Sequence, residues 1–231
     1  MDGTQVVEQN GFIKANGMKF PKDGRVLTGR IRGLLKDGTY KSKEAKNLLR
    51  VVRDDDVVVE LGAGLGYTSN LLATKRKIQH IHTFEADPSL IGYIQSVHAA
   101  NGVQNATVTN AVLGKRKGSA DFYVRKNFLA SSTMELTGST VIATEKVDIV
   151  NAKTVMKGLK PTMLVCDLKG GEADLISELD LTMVRAAVIE LHPQTIGPDG
   201  VNRVFKAFMD AGLAYYARGS SAKVVAFRRA W

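Results

Sequence analysis

The sequence predicts an α/β domain built on a mostly parallel sheet, with helices on both faces and an antiparallel strand at one edge. Three observations favour this fold class. An apolar run of valines at 57–59 is followed at once by closely spaced glycines and then by a helix-compatible run. Segments typical of strands and helices then alternate along the chain. The last two strand-like runs lie on either side of a turn at 219–221, and this arrangement predicts the antiparallel edge.

The composition is that of an ordinary globular protein. The chain has 231 residues, enough for one sizeable core, and a formal net charge of +9. This charge is spread out, so solvated loops explain it more simply than a nucleic-acid surface. No apolar run approaches the length of a membrane span, and the first ten residues lack the core of a signal peptide. The single cysteine, Cys166, lies in an apolar run and is expected to be a buried thiol, which favours a cytoplasmic protein.

Residues 1–56 are expected to form a leading segment of the same domain, and residues 57–231 the Rossmann-like sheet itself. Apolar residues on both sides of an Asn-Gly pair at 16–17 predict a small hairpin. A short helix is expected over 26–35, and Ser42 is typical of the cap of a second helix that leads into the glycine turn. Such a segment could close over a ligand as a lid.

The glycine turn has the order strand, turn, helix that brings backbone N–H groups close to a ligand. Its glycines, Gly62, Gly64 and Gly66, have the spacing G-x-G-x-G, and Tyr67 stands where the dinucleotide pattern has its third glycine. Glu60 ends the strand, where a carboxylate would repel a pyrophosphate but suits a ligand with an ammonium group. The alternative is a tight strand-to-helix turn that binds nothing.

The next strand, expected over 80–86, contains Glu85, 25 positions beyond Glu60. A carboxylate at this place in a nucleotide-binding sheet accepts hydrogen bonds from ribose hydroxyls. The alternative is a surface glutamate at a strand end. A helix is expected to open at Pro88 and to run to Ala100, where an Asn-Gly pair ends it.

The remaining segments alternate in the same way. Further strands are expected over 106–113, 119–125, 147–150, 162–168, 184–191, 214–217 and 224–228. A serine- and threonine-rich stretch over 126–144 is expected to be a long loop. Helices are expected over 173–179 and 201–211.

Polar side chains collect at the carboxyl ends of the expected strands, where open α/β sheets bind their ligands. These residues are Glu60, Glu85, Asn110, Asp167, Glu190 and His192. Their convergence is the strongest functional signal in the sequence. Asp167, Glu190 and His192 could together ligate a hard divalent ion, but the sequence does not bring them together and no metal is expected.

In this order, the segments resemble the FkbM-type branch of the class I S-adenosylmethionine-dependent methyltransferases, over roughly 38–192. The resemblance rests on motif I at 60–66, the ribose motif at 84–88, the strand beside the adenine at 110–114, the paired serines Ser131 and Ser132, the signature at 167–172 and the Glu-x-His end of a strand at 190–192. Two residues depart from the family pattern. Lys169 stands for an acidic residue and Gly171 for alanine.

The resemblance implies a Rossmann-like class I methyltransferase fold with a mostly parallel seven-stranded sheet. It also implies methyl transfer from S-adenosylmethionine to a hydroxyl, in this branch commonly that of a sugar or secondary metabolite. The residues that it assigns to the cofactor are Glu60, Gly62, Ala63, Gly64, Gly66, Tyr67, Glu85, Ala86, Asn110, Ala111 and Asp167.

A hydroxyl acceptor loses its proton during the reaction, so the site needs a proton acceptor. His192 is the natural candidate because histidine titrates nearest to neutral pH, and Asp167 and Glu190 are expected to orient it or to take the proton. Each has a simpler alternative: a structural histidine, a capping or cofactor-binding aspartate, and a glutamate paired with a lysine. Tyr40 and Glu44 could touch the carboxylate end of the cofactor, although packing and capping are simpler roles.

Two other functions stay open. The positive charge is compatible with a nucleic-acid methyltransferase, but the stretch after the fourth core strand lacks the aromatic loop of enzymes that methylate bases. Methylation of an RNA ribose stays an alternative. A non-catalytic partner protein would bind the cofactor without turnover. The expected partner is a small hydroxyl compound. Because the protein is basic, this compound could be acidic. No association with a membrane is expected.

Overall fold

The computed structural model describes residues 11–125, 131–133 and 140–229. In chain order the elements are β1 (Phe12–Ala15), β2 (Met18–Pro21), α1 (Gly29–Lys36), α2 (Ser42–Val51), β3 (Val57–Leu61), α3 (Tyr67–Lys75), β4 (His80–Glu85), α4 (Pro88–Ala100), β5 (Ala106–Asn110), β6 (Val112–Gly114), β7 (Gly118–Arg125), β8 (Val141–Asn151), α5 (Ala152–Leu159), β9 (Met163–Cys166), α6 (Glu172–Ile176), β10 (Ala186–Glu190), α7 (Pro193–Asp210), β11 (Ala214–Tyr215) and β12 (Val224–Arg228). A short 3₁₀ turn at Ala217–Gly219 lies between the last two strands.

The central sheet has seven strands in the order β11-β12-β10-β9-β3-β4-β5. The pairs β10–β9, β9–β3, β3–β4 and β4–β5 are parallel, which confirms the mostly parallel sheet. Strand β12 runs antiparallel to both β10 and β11. The antiparallel strand therefore lies one place inside the edge, because the short β11 covers its outer side.

The central strands are buried on both faces, as their continuous apolar runs predict. Successive side chains of a strand point to opposite faces. Val59 and Leu61 of β3 accordingly pack in one core cluster with Phe208 of α7, and Val58 packs in another with Leu48 of α2. Helices therefore cover both faces of the sheet, which confirms the expected layers.

Residues 11–56 of the leading segment pack against the helices of the sheet. The expected hairpin is present as β1 and β2, and its turn residues Asn16 and Gly17 have φ values of 51° and 77°. Phe20 of β2 shares a core cluster with Leu35 of α1 and Ile94 of α4. The segment thus contributes to the core beside the first helices of the sheet, and a lid motion stays a prediction.

Ser42 is not the cap of α2, so that expectation is wrong. It is the first helical residue, and the cap position belongs to Lys41, whose side chain makes no capping hydrogen bond. Lys41 has a φ of 48°, in the left-handed region that lysine rarely adopts. Its ammonium group lies 2.9 Å from the carboxylate of Asp167, which follows β9.

The strand expected over 106–113 is broken at Ala111, because the N–H of that residue turns back to Thr109 at 3.1 Å. Only β5 stays in the central sheet, while β6 pairs with β8. Strand β8 is the middle of a separate three-stranded sheet, β6-β8-β7, so the edge strand expected over 147–150 is wrong in both length and position. The loop expected over 126–144 lies partly outside the described residues, and its last residues belong to β8.

Two helices differ from expectation in the second half of the chain. Helix α5 follows β8 directly and is not predicted from the sequence. Helix α7 begins at Pro193, earlier than expected, and is interrupted at Gly197, where φ is 64° and the backbone is not helical. Cys166 is buried, as expected.

Candidate functional site

A cavity of about 480 Å³ opens at the carboxyl ends of β3, β4 and β9. Gly62 and Gly64 line it after β3, Glu85 at the end of β4, and Asp167 after β9. Open α/β sheets bind their ligands at this edge, and the volume is typical of small-molecule sites. The cavity thus lies where the strand-end residues predict a site.

The glycine turn shapes one wall of the cavity. Gly62 has a φ of 85°, and a Cβ there would overlap the carbonyl oxygen of Asp167, so this glycine is needed for the close approach of β3 and β9. Gly64 has a φ of 56° and faces open space. Its N–H donates to Oε2 of Glu85 at 2.7 Å. The turn therefore holds the glutamate as well as leaving room for a ligand.

Both carboxylate oxygens of Glu85 are positioned by backbone N–H groups. Oε2 accepts from Gly64, and Oε1 accepts from Asp87 at 2.9 Å. Burial raises the pKa of Glu85 to about 6, although these N–H groups oppose the rise. The side-chain amide of Asn110 donates hydrogen bonds to the backbone carbonyls of Glu85 and Ala86 and so holds the end of β4 in place. At neutral pH the site presents an ionised, immobilised acceptor to the cavity.

Asp87 adds a second acceptor that sequence reasoning missed. Its Oδ1 caps α4 by accepting from the N–H and the hydroxyl of Ser89, at 2.9 and 2.6 Å. Its Oδ2 is buried and has no hydrogen-bond partner among the described residues, and Asp87 lines the cavity. A buried acceptor without a partner is costly unless a ligand supplies the donor. In the sequence Asp87 lies within the stretch 84–88 that resembles the ribose motif, but it was not among the residues assigned to the cofactor.

Glu60 lies behind the turn rather than on the cavity wall. It is buried, and the Thr83 hydroxyl donates to its Oε2 at 2.6 Å. Burial raises the pKa of Glu60 to about 8, and the Thr83 hydrogen bond only partly opposes this. At pH 7 Glu60 is therefore mostly protonated and neutral. The repulsion of a pyrophosphate that the sequence predicts from Glu60 is accordingly weak in the free protein. Its contact with a cofactor stays a prediction.

Three other residues of the turn, Ala63, Gly66 and Tyr67, are also buried and do not line the cavity. The Tyr67 ring stacks on Phe20 and meets Tyr40 edge-on, and its hydroxyl accepts from Asn16 at 2.8 Å. These contacts tie the turn to the leading segment. Of the other residues assigned to the cofactor, Ala86 and Ala111 line the cavity.

Two lysines bracket the Asp167 carboxylate at the other end of the cavity. Lys41 bonds to its Oδ2 at 2.9 Å and also to Glu44, and Lys169 pairs with its Oδ1. Burial favours the neutral acid, but the two ammonium groups outweigh it and hold the pKa of Asp167 well below its usual value. Asp167 is therefore a poor proton acceptor, and orienting neighbouring groups is the role that the geometry favours.

His192 is held by Glu172, a residue to which the sequence assigned no role. The carboxylate of Glu172 is fully buried and accepts from the backbone N–H of His192 at 2.7 Å, and it lies 3.2 Å from Nδ1. Burial would raise the pKa of Glu172, but these hydrogen bonds lower it on balance. With the proton on Nδ1, the lone pair of Nε2 points toward Asp167 and Glu190, at 3.7 and 3.8 Å. His192 and Glu190 do not themselves line the cavity, but His192 adjoins Asp167 and Lys169, which do.

The structure brings the three predicted catalytic residues together. One ligand atom each from Asp167, Glu190 and His192 lies within 4.8 Å of the others. Carboxylate and imidazole atoms at this spacing are a possible donor set for a divalent ion. Lys169 already occupies part of this space, since its Nζ pairs with Asp167 and lies 3.5 Å from Nε2 of His192.

Residues from three distant segments complete the walls. Ser131 and Ser132 line the cavity and accept from the backbone N–H and the guanidinium of Arg125, at 2.9 and 3.2 Å. Tyr40 lines the cavity and meets Tyr67 edge-on, and Glu44 pairs with Lys41; contact of either residue with a cofactor stays a prediction. No pattern in the sequence signals Lys41, because its partner Asp167 lies 126 positions away.

No family model matches the sequence, and no curated protein sequence matches it either. Solved structures do match the fold. Trm5b from Pyrococcus abyssi superposes with a TM-score of 0.53 at 13% identity, over 94% of this chain and 55% of that one. The chain therefore spans about half the length of Trm5b. Precorrin-6y C5,15-methyltransferase from Geobacter metallireducens GS-15 matches with a TM-score of 0.50 at 13% identity, over 90% of this chain and 93% of that one.

A third match is TYW2 from M. jannaschii in complex with AdoMet, with a TM-score of 0.50 at 15% identity, over 94% of this chain and 85% of that one. Identities this low support the fold alone. Together with the sheet order, these matches show a Rossmann-like α/β fold of the kind that class I methyltransferases have. None of the helices in the described ranges is long and apolar enough to cross a membrane.

Proposed function

We propose that the protein binds S-adenosylmethionine and transfers its methyl group to a hydroxyl. The observation that carries this proposal is Glu85, whose carboxylate two backbone N–H groups hold against the cavity at the end of β4. A carboxylate in that place suits the two hydroxyls of a ribose. The neighbours in fold support it, since one is named a methyltransferase and another was solved with AdoMet.

The chain fits this cofactor better than a dinucleotide. In dinucleotide enzymes the N–H groups of the glycine turn receive a pyrophosphate. Here the N–H of Gly64 is committed to Glu85, and the carboxylate beside it would repel a phosphate. The unpartnered Oδ2 of Asp87 likewise suits a ligand that carries donors, such as amino and hydroxyl groups.

Bound S-adenosylmethionine would supply an electrophilic methyl group. The task of the chain is then to align the acceptor with it and to remove a proton. His192 takes the proton at Nε2, because Glu172 keeps the Nδ1 proton in place and stabilises the imidazolium that forms. Asp167 stays ionised between its two lysines and orients the neighbouring groups.

For the acceptor we propose a small hydroxyl compound, as the FkbM-type resemblance implies, in a cytoplasmic protein. The cavity of about 480 Å³ has to hold the cofactor as well, so the choice of a small acceptor rests on the resemblance. A second candidate is RNA ribose methylation, which would use the same proton acceptor.

A labelling experiment separates these possibilities. The purified protein is incubated with methyl-labelled S-adenosylmethionine and a cell extract, and the label is counted in the small-molecule, RNA and protein fractions. The proposal predicts label in the small-molecule fraction, which His192→Gln should abolish. Label in RNA would favour the second candidate, and binding without any transfer would point to a non-catalytic module. A protein that does not bind the cofactor would refute the proposal itself.

A further inference from the structure

The ammonium group of Lys169 lies inside the cluster of Asp167, Glu190 and His192. Nε2 of His192 is 3.7 Å from Asp167 and 3.8 Å from Glu190, which is close to the separation of ligand atoms around one small divalent ion. Lys169 pairs with Oδ1 of Asp167 and approaches the same Nε2 to 3.5 Å. The cluster thus surrounds a positive charge that the chain itself provides.

The backbone holds this lysine in place. Lys169 has a φ of 49°, a left-handed conformation that costs free energy for a residue with a side chain. The next residue, Gly170, also has a positive φ of 114°, and its N–H donates to Glu172 at 2.8 Å. Lys41, the other partner of Asp167, is left-handed too, with a φ of 48°. Strained residues of this kind concentrate at functional sites.

Lys169 also faces the cavity, where its side chain remains 28% exposed beside the buried Asp167. An acceptor oxygen that enters the cavity can therefore reach the ammonium group. Its distance of 3.5 Å from Nε2 is longer than a normal hydrogen bond, so the lone pair of His192 is still free to take a proton.

We infer that Lys169 is a built-in cation that takes the place of a divalent metal ion in this cluster and binds the acceptor oxygen. This inference rests on the proposed methyl transfer. The O–H bond of the acceptor breaks and its proton passes to Nε2 of His192. The oxygen forms a bond to the methyl carbon as the carbon–sulfur bond breaks, and the electron pair of that bond stays on sulfur. Lys169 keeps its proton and stabilises the negative charge on the oxygen.

The inference predicts that removing the ammonium group opens a metal site. In Lys169→Met, Mn²⁺ binding is measured by the loss of the free-ion signal in electron paramagnetic resonance. We expect Mn²⁺ to bind at least about tenfold more tightly than to the parent, since a like charge is removed within a few ångströms of the ion. The double variant Lys169→Met/Glu190→Gln should lose this gain.

Lys41→Met is the matched control. It removes the same charge from the other oxygen of Asp167 but leaves Lys169 among the three ligand atoms, so a much smaller gain is expected. Equal gains in Lys41→Met and Lys169→Met would show a general charge effect and overturn the inference. So would tight Mn²⁺ binding by the parent, or no gain in a folded Lys169→Met.

Lys169→Gln provides a second test if Lys169→Met does not fold, and circular dichroism identifies the folded variants.

Calorimetry with S-adenosylmethionine on the parent keeps the two proposals apart. A parent that does not bind it would refute the proposed function, whereas the Mn²⁺ result depends on the cluster alone. In the labelling assay Lys169→Met should lose transfer, and Mn²⁺ should restore it. A Lys169→Met variant with parental transfer in a chelator would overturn the role of Lys169 at the acceptor.

Discussion

The two ends of the cavity differ in how their charges are satisfied. At the Glu85 end, backbone N–H groups orient the carboxylate, and Oδ2 of Asp87 lacks a partner within the described part of the chain. At the Asp167 end, two lysines saturate the aspartate and Glu172 holds His192. The first end has acceptors for the donors of a ligand, while the second is organised before any ligand arrives. In the proposed function, the first end binds the cofactor and the second carries out the chemistry.

The largest expected effect separates chemistry from binding. His192→Gln removes the proton acceptor while Glu85 is left intact, so transfer in the labelling assay should fall by about 10²- to 10⁴-fold. Calorimetry should give an affinity for S-adenosylmethionine within about twofold of the parent, because His192 is not among the residues that line the cavity. Unchanged transfer would remove His192 from the mechanism.

The converse change acts on the binding end. Glu85→Ala removes an acceptor for two hydroxyls and should weaken S-adenosylmethionine binding by about 100-fold, since hydrogen bonds to charged groups contribute about 1.5–3 kcal/mol each. The control is Glu145→Ala on β8, an exposed glutamate of the separate sheet. Equal affinities for Glu85→Ala and the parent in calorimetry would refute the ribose contact.

A third prediction concerns the point where the two ends meet. Gly62→Ala would place a Cβ against the Asp167 carbonyl at a φ of 85°, and should lower the free energy of unfolding by about 2–3 kcal/mol. Gly92→Ala is the matched control, because Gly92 lies in α4 with open space around it and should gain about 0.5–1 kcal/mol. Urea unfolding measures both. Similar values for the two variants would contradict the tight packing at Gly62.

The smallest expected effect is the pH dependence of binding. Because the pKa of Glu85 is raised to about 6, its acceptor oxygens become protonated as the pH falls below that value. Affinity for S-adenosylmethionine should therefore fall by up to about tenfold per pH unit below pH 6. The slope should disappear in Glu85→Gln. A parent whose affinity stays constant between pH 7 and pH 5 would contradict this assignment.

The binding end could largely be predicted from the sequence, since it is built from local order. The strand, the glycines and Glu85 follow one another within one β-α-β unit, and the parallel sheet brings their ends together. The sequence also predicted the strand-end residues Asp167 and His192, because strand ends meet at one edge of the sheet.

The rest of the site depends on contacts that carry no local signal. Lys41 meets Asp167 across 126 positions, and Glu172 meets His192 across 20. The left-handed conformations of Lys41 and Lys169 could not be foreseen, since glycine and asparagine are the usual signals for them. The break at Ala111 was missed for a similar reason, because strand propensity continues through it into β6.

The most direct test of the account is a calorimetric titration of the unmodified protein with S-adenosylmethionine and, separately, with NAD. The account predicts saturable binding of one S-adenosylmethionine per chain and no heat with NAD, since Glu85 occupies the N–H of Gly64 that a pyrophosphate would need. Saturable binding of NAD together with no response to S-adenosylmethionine would contradict it.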